Sequence, residues 1–311
     1  MKLTEGIQKA LHYIQHIEVE NQASAWDTGR AFYEKFTALS GPEEPVYQIE
    51  DKIIPSKEQA IKLRIYRPND AEELPALLYF HGGWFNAGSL ETHDKPLRQL
   101  SNCAQAIIIS VDYRLAPENP FPAGLEDAEA AVAYILANSK NLGINPERIS
   151  LAGDSAGAAL VATLTRKFRA NIASQLLIYP VTDNSLDTTS WETYKEGPLI
   201  TLESGIQAWN WYLPNQADRN NVDAIPLLAE ELHNLPPSFI AVAQYDPLRD
   251  EALHYADKLE SKGVKVERKE YLGMTHGFFH MGGFVPETAT LTQDLANFIH
   301  QHKRENIKKE A

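Results

Sequence analysis

The chain of 311 residues holds one cysteine, Cys103, which excludes an intrachain disulfide and leaves no ligand set for a thiolate metal site. No apolar run approaches 18 residues, so no transmembrane helix is expected. The opening Met1-Lys-Leu-Thr-Glu-Gly leads into charged helical sequence and lacks the apolar core of a signal peptide. Basic residues are outnumbered, 29 Lys and Arg against 42 Asp and Glu, for a net charge of −13. That balance argues against a nucleic acid or an anionic membrane as partner. Only the tail is locally basic, at Lys303-Arg304 and Lys308-Lys309, and it reads as a solvated helix end. Internal repeats and low-complexity tracts are also missing. A cytoplasmic protein acting on a small molecule is the expectation these absences leave.

What is present is an ordinary globular composition, 43% hydrophobic and 23% charged, in a chain long enough to bury a substantial core. Residues 4–40 carry apolar side chains at three-to-four spacing (Leu11, Ile14, Ile17, then Phe32, Phe36, Leu39), which predicts helix up to the break at Gly41-Pro-Glu-Glu-Pro45. Val46–Ile54 and Ile61–Tyr66 predict an antiparallel hairpin at a sheet edge. Ala76–Phe80, Ala106–Val111, the strand beginning at Ile149, Ser174–Tyr179 and Ser238–Ala243 are apolar runs of strands buried on both faces. A more polar strand is predicted at Val264–Glu270. Helices are predicted at Lys95–Cys103, Gly124–Ser139, Ala158–Arg169, Leu248–Ser261 and Glu287–Gln301. This β/α alternation implies an α/β fold, a mostly parallel central sheet with helices on both faces. The segment between Pro180 and Pro237 is too long for a simple crossover. It carries Trp191, Tyr194, Trp209, Trp211, Tyr212 and Leu213, and an aromatic insertion at the C-terminal side of the strands is placed to line a substrate pocket.

The chemistry gathers at Gly153-Asp-Ser155-Ala-Gly157. Gly-x-Ser-x-Gly between a strand and a helix is the nucleophile elbow, a tight turn that lifts a serine hydroxyl above the sheet. A serine hydroxyl is a weak nucleophile without a base and a group that orients the base. In this arrangement the partners follow in the order acid, then histidine. Asp246, at the end of a buried strand, and His276, in the loop after the last strand, occupy those places. Asp250 and His280 are the rival acid and base; Asp250 is expected inside a helix and facing solvent. The tetrahedral intermediate of acyl transfer needs N–H donors for its oxyanion. One is expected from Ala156, after the nucleophile, and others from the loop His81-Gly82-Gly83-Trp84-Phe85. His81 is expected to brace that loop and not to titrate in the reaction. The scheme calls for no metal and no cofactor.

These motifs resemble the hormone-sensitive-lipase-like family of α/β-hydrolase carboxylesterases. Beyond the elbow, the shared blocks are His81-Gly-Gly with Gly88-Ser89, Asp112-Tyr-Arg-Leu-Ala-Pro-Glu118, Pro120-Phe-Pro122 with Glu126-Asp127, and Asp246-Pro-Leu-Arg-Asp-Glu251. The similarity covers roughly residues 46–300. It implies a serine esterase acting on short-chain acyl esters beneath a helical cap. It divides the chain into a helical cap segment at 1–45 and a catalytic domain at 46–311, with a cap insertion at about 183–220. It places the oxyanion hole at the N–H groups of Gly83, Trp84 and Ala156, with His81 and Gly82 supporting the loop. Trp84 stands where the family usually has a third glycine, and tryptophan does not take positive φ cheaply. His-Gly-Gly-x-aromatic also resembles arylformamidases of the same superfamily, which makes a formyl-aryl amide the alternative substrate. A non-catalytic ligand-binding protein on the same fold is the alternative from another class. An edge strand or the last helix could pair two copies as a homodimer.

Overall fold

The computed structural model describes residues 1–304, so Lys308 and Lys309 lie outside the described residues. In chain order the elements are α1 (Glu5–Gln15), α2 (Ala25–Glu34), β1 (Gln48–Ile54), β2 (Ile61–Arg67), β3 (Leu74–Phe80), α3 (Leu90–Ala104), β4 (Ile107–Asp112), α4 (Ala123–Asn138), β5 (Ile144–Asp154), α5 (Ala156–Lys167), β6 (Gln175–Ile178), α6 (Thr189–Tyr194), α7 (Leu202–Tyr212), β7 (Ser238–Tyr245), α8 (Arg249–Ser261), β8 (Val266–Thr275) and α9 (Glu287–Gln301). Eight strands form one sheet in the order β1-β2-β4-β3-β5-β6-β7-β8. The β1–β2 and β2–β4 pairs are antiparallel and every pair from β4–β3 to β7–β8 is parallel. The hairpin expected at the edge is there, in register from Gln48↔Arg67 to Ile54↔Ile61. Among the described residues no helix is long and apolar enough to cross a membrane.

The apolar strands are apolar because the sheet is covered twice. Successive strand residues point to opposite faces. Thus Ala76, Leu78 and Phe80 of β3 join one core layer, with α4, α5 and α8, while Leu77 and Tyr79 join the other, with α1, α3 and α9. Helix α1 buries Ile7, Ala10, Leu11 and Ile14 in this second layer. Helix α2 buries no residue fully. Its Arg30 instead donates to the carbonyls of Asn86 and Ala116 and pairs with Glu118.

The helical stretch expected over residues 4–40 is broken between Gln15 and Ala25 into α1 and α2, and a later helix also departs from expectation. Helix α3 begins at Leu90, five residues before the predicted Lys95. Ser89 and Thr92 form a capping box that satisfies its first N–H groups. The polar run Glu91-Thr-His-Asp94 hides this turn from an apolar-periodicity reading, yet Thr92, His93 and Asp94 are buried. The last strand is longer than predicted and ends at Thr275, delivering His276 directly from its tip.

Candidate active site

Strand β5 ends at Asp154 and α5 begins at Ala156, which leaves Ser155 alone in the turn at φ 54°, ψ −119°. That left-handed geometry is strained for a side-chain-bearing residue and characteristic of functional turns. The turn closes because its glycines are bare. A Cβ on Gly157 would overlap the Phe80 carbonyl, and one on Gly153 would come within 2.5 Å of the Gly157 backbone. The Ser155 hydroxyl lies 2.9 Å from Nε2 of His276, and Nδ1 of that ring lies 2.7 Å from Oδ2 of Asp246. A carboxylate only accepts, so Nδ1 carries the proton and Nε2 presents its lone pair to the serine O–H. Asp246 is buried, and its Oδ1 accepts the Leu248 N–H at 2.9 Å, which fixes the rotamer. The Tyr179 ring packs against the imidazole, centroids 4.5 Å apart.

The rivals are elsewhere. Asp250 lies in the first turn of α8, where its carboxylate accepts the Ser190 N–H and binds Arg249. It is only partly exposed, so it anchors α6 and does not simply face solvent. His280 is buried and turned to Asp154, 3.4 Å from its Oδ2.

In the loop after β3, Gly83, Trp84 and Phe85 all adopt positive φ, at 114°, 53° and 61°. Trp84 therefore does take the conformation that a tryptophan disfavours. Asn86 and Ala87 both donate to the Gly83 carbonyl, closing the turn. Among the described residues the Gly83 and Trp84 N–H groups meet no acceptor, and the Ala156 N–H belongs to the open first turn of α5. The Gly82 N–H, by contrast, is taken by Oδ1 of Asp154 at 2.9 Å. His81 donates from Nδ1 to the Gly82 carbonyl at 2.8 Å and stacks on Tyr113, while its Nε2 is buried without a partner. Burial, together with nearby His93, pushes the His81 pKa down to about 3, so the ring is neutral.

Sequence reasoning missed the node behind the elbow. Asp154 is buried, and its Oδ1 accepts from the Tyr79 hydroxyl (2.9 Å), the Gly82 N–H (2.9 Å) and His93 Nε2 (3.0 Å). Burial alone would raise this carboxyl, but the donors from His93 and His280 hold it well below the usual range. Burial lowers the His93 pKa, against the pull of the Asp154 carboxylate. His93, Asp154 and His280 are the cluster among the described residues whose ligand atoms are close enough to hold a metal, all within 4.8 Å. With three donors already on one oxygen, it is a hydrogen-bond node. The only sequence signal was the position of Asp154 beside Ser155; nothing near His93 marked it.

The insertion brings its aromatic rings to the loop. Trp84 has Trp191 and Trp209 each at 6.4 Å between centroids, and Phe85 stacks on Tyr212 at 3.8 Å with planes 5° apart. Trp191 is fixed by its Nε1–H to Glu251, 2.9 Å away, and Glu251 also accepts the Thr182 and Asp183 N–H groups. Burial pushes the Glu251 carboxyl up to about 8, against these hydrogen bonds, which act to lower it. From the N-terminal segment, Trp26 meets Trp211 edge-on at 5.9 Å.

Known proteins similar to this chain share its fold. A family described as alpha/beta hydrolase fold matches residues 77–281. Esterase LipI of Mycobacterium tuberculosis is 39% identical over 262 residues, 81% of each chain. Ethyl acetate hydrolase of Pseudomonas putida is 31% identical over 308 residues, covering 93% of this chain and 97% of its own. Among solved structures, the hyperthermophilic esterase of Pyrobaculum calidifontis superposes with a TM-score of 0.90 at 34% identity, over 97% of this chain and 99% of that one.

Proposed function

Because this chain belongs to the hormone-sensitive-lipase-like family of α/β-hydrolase carboxylesterases and is a carboxylic ester hydrolase, we propose that it cleaves short-chain acyl esters with Ser155 as nucleophile, His276 as base and Asp246 as the group that orients the base. The observation that carries the reading is the continuous chain from the Ser155 hydroxyl through His276 to Asp246, 2.9 Å and 2.7 Å long.

The chemistry runs in two steps. Ser155 Oγ bonds to the ester carbonyl carbon as its proton passes to His276 Nε2. The imidazolium formed is stabilised by Asp246 at Nδ1. The former carbonyl oxygen, now anionic, takes the open N–H groups of Gly83, Trp84 and Ala156. Collapse expels the alcohol, which leaves with the proton from His276. Water then repeats the sequence on the acyl-enzyme and frees the acid and Ser155. Gly82 and His81 hold the loop and take no proton.

Preference for short acyl chains is supported by the crowding around the serine, which is 4% exposed, and by the aromatic group at Trp84. The relative named for ethyl acetate points the same way. In this reading residues 1–45 and about 183–220 form the cap, α2 and α7 meeting through Trp26 and Trp211.

The test is a series of p-nitrophenyl esters from acetate to palmitate, with N-formylkynurenine alongside, on the wild type and Ser155→Ala. A serine-dependent optimum at short chains is expected. Turnover of the formamide alone would favour the arylformamidase alternative, and an optimum at palmitate would refute the short-chain preference.

A further inference from the structure

We propose that Tyr212 and Trp209 of the insertion are positioning residues for the oxyanion loop: their rings hold Trp84 and Phe85 in a left-handed backbone that neither residue favours on its own. The inference rests on the reading of Gly83 and Trp84 as oxyanion donors and goes beyond it, because it makes the insertion part of the catalytic scaffold and not merely a pocket wall.

Two consecutive bulky residues at φ 53° and 61° are a costly conformation. Local hydrogen bonds span the two residues and close the turn, but they do not remove the steric cost that each Cβ meets at positive φ. The two bonds that close the turn come from Asn86 and Ala87 and end on Gly83, and the Phe85 carbonyl is held from outside by the Ala116 N–H at 2.9 Å. None engages the N–H of Trp84 or Phe85. The side chains supply a second restraint, from outside the turn. Phe85 is 2% exposed, stacked on Tyr212 and 5.7 Å from Trp209. Tyr212 is itself fixed, since its carbonyl accepts the Phe121 N–H at 3.0 Å and the Phe121 ring meets it edge-on. The Trp84 ring lies against Trp209 on one contact and Trp191 on the other. A return of either residue to negative φ would redirect its Cα–Cβ bond and pull the ring from its slot, so ring burial and the sign of φ are coupled. The same rotation would turn the Trp84 N–H away from the oxyanion.

Glycine separates this account from simple ring contact. Glycine accepts positive φ without penalty, whereas alanine keeps the Cβ that opposes it. Phe85→Ala therefore removes the restraint and leaves the strain, while Phe85→Gly removes both. The experiment measures kcat, KM, thermal midpoint and affinity for a trifluoromethyl ketone, whose adduct with Ser155 carries an oxyanion, in Phe85→Ala, Phe85→Gly, Tyr212→Leu and Tyr212→Leu in the Phe85→Gly background. Phe85→Ala and Tyr212→Leu are expected to lose roughly 10- to 100-fold in kcat, with KM within about twofold and ketone affinity falling in step. Phe85→Gly is expected to recover most of that loss although its thermal midpoint stays low, and Tyr212→Leu should cost little more in that background. Phe85→Gly no better than Phe85→Ala, or Tyr212→Leu at wild-type kcat, overturns the proposal. A fall in kcat that leaves ketone affinity untouched would instead refute Gly83 and Trp84 as the oxyanion donors. Tyr212→Leu leaves the loop sequence intact, so the question stays answerable should a Phe85 variant fail to fold.

Discussion

The carboxylate of Asp154 accepts the Gly82 N–H at 2.9 Å, which ties the residue before Ser155 to the residue before Gly83 and Trp84. Elbow and loop are thus joined through one carboxylate, which also reaches α3 through His93 and the segment after His276 through His280. Asp154→Asn offers one oxygen where two accept, and turns an N–H toward a donor. A loss of about 1–3 kcal/mol of stability is expected, with kcat down roughly 10-fold or more as the loop loosens. Chemical denaturation and steady-state kinetics check this. Wild-type kcat in a destabilised variant would show that the loop holds its geometry without the node.

Ser155→Ala should fold normally and lose about 10³-fold or more in kcat, and Asp246→Asn should lose a comparable amount by allowing the wrong His276 tautomer. Combining the two should cost little beyond Ser155→Ala alone, since the residues act as a unit. Circular dichroism and burst kinetics on p-nitrophenyl acetate provide the readout. Additive losses would contradict the triad.

Glu251 sets a pH dependence of stability. Its carboxyl is raised to about 8 in the folded protein from an ordinary value of 4.5. Between these values the folded state binds a proton that the unfolded state has released, so this group's stabilisation is complete below about 4.5 and declines as pH rises through about 8. The wild-type thermal midpoint should accordingly fall between about pH 5 and 8 by more than that of Glu251→Gln, which cannot titrate. Gln also faces the Trp191 N–H with its own donor or loses a bond to Thr182, so it should start lower. Parallel curves for the two proteins would remove Glu251 as the source.

His81 is neutral across the working range, with its pKa held near 3 by burial. Replacing it with Asn should lower kcat by loosening the Gly82 carbonyl, yet leave the midpoint of the acid limb of kcat/KM unmoved. A shifted limb would mean that His81 titrates during turnover.

The local sequence determined a great deal. The elbow was legible because a Gly-x-Ser-x-Gly turn needs bare glycines where a Cβ would strike the Phe80 carbonyl, and the strands because burial on both faces demands unbroken apolar runs. The contact of Ser155 with His276 and of His276 with Asp246 was legible because both partners follow strands of the same sheet. Only the tertiary structure decided the rest. Ser89 before Leu90 signals the early start of α3, but nothing near His93 signals that it is buried against Asp154, since a polar turn becomes core only when a partner from 61 residues away satisfies it. Trp84 looked like a disruption of the loop. Its positive φ sits in a turn closed locally on the Gly83 carbonyl, but the rings packed against it lie more than a hundred residues along the chain, and no local propensity contains them.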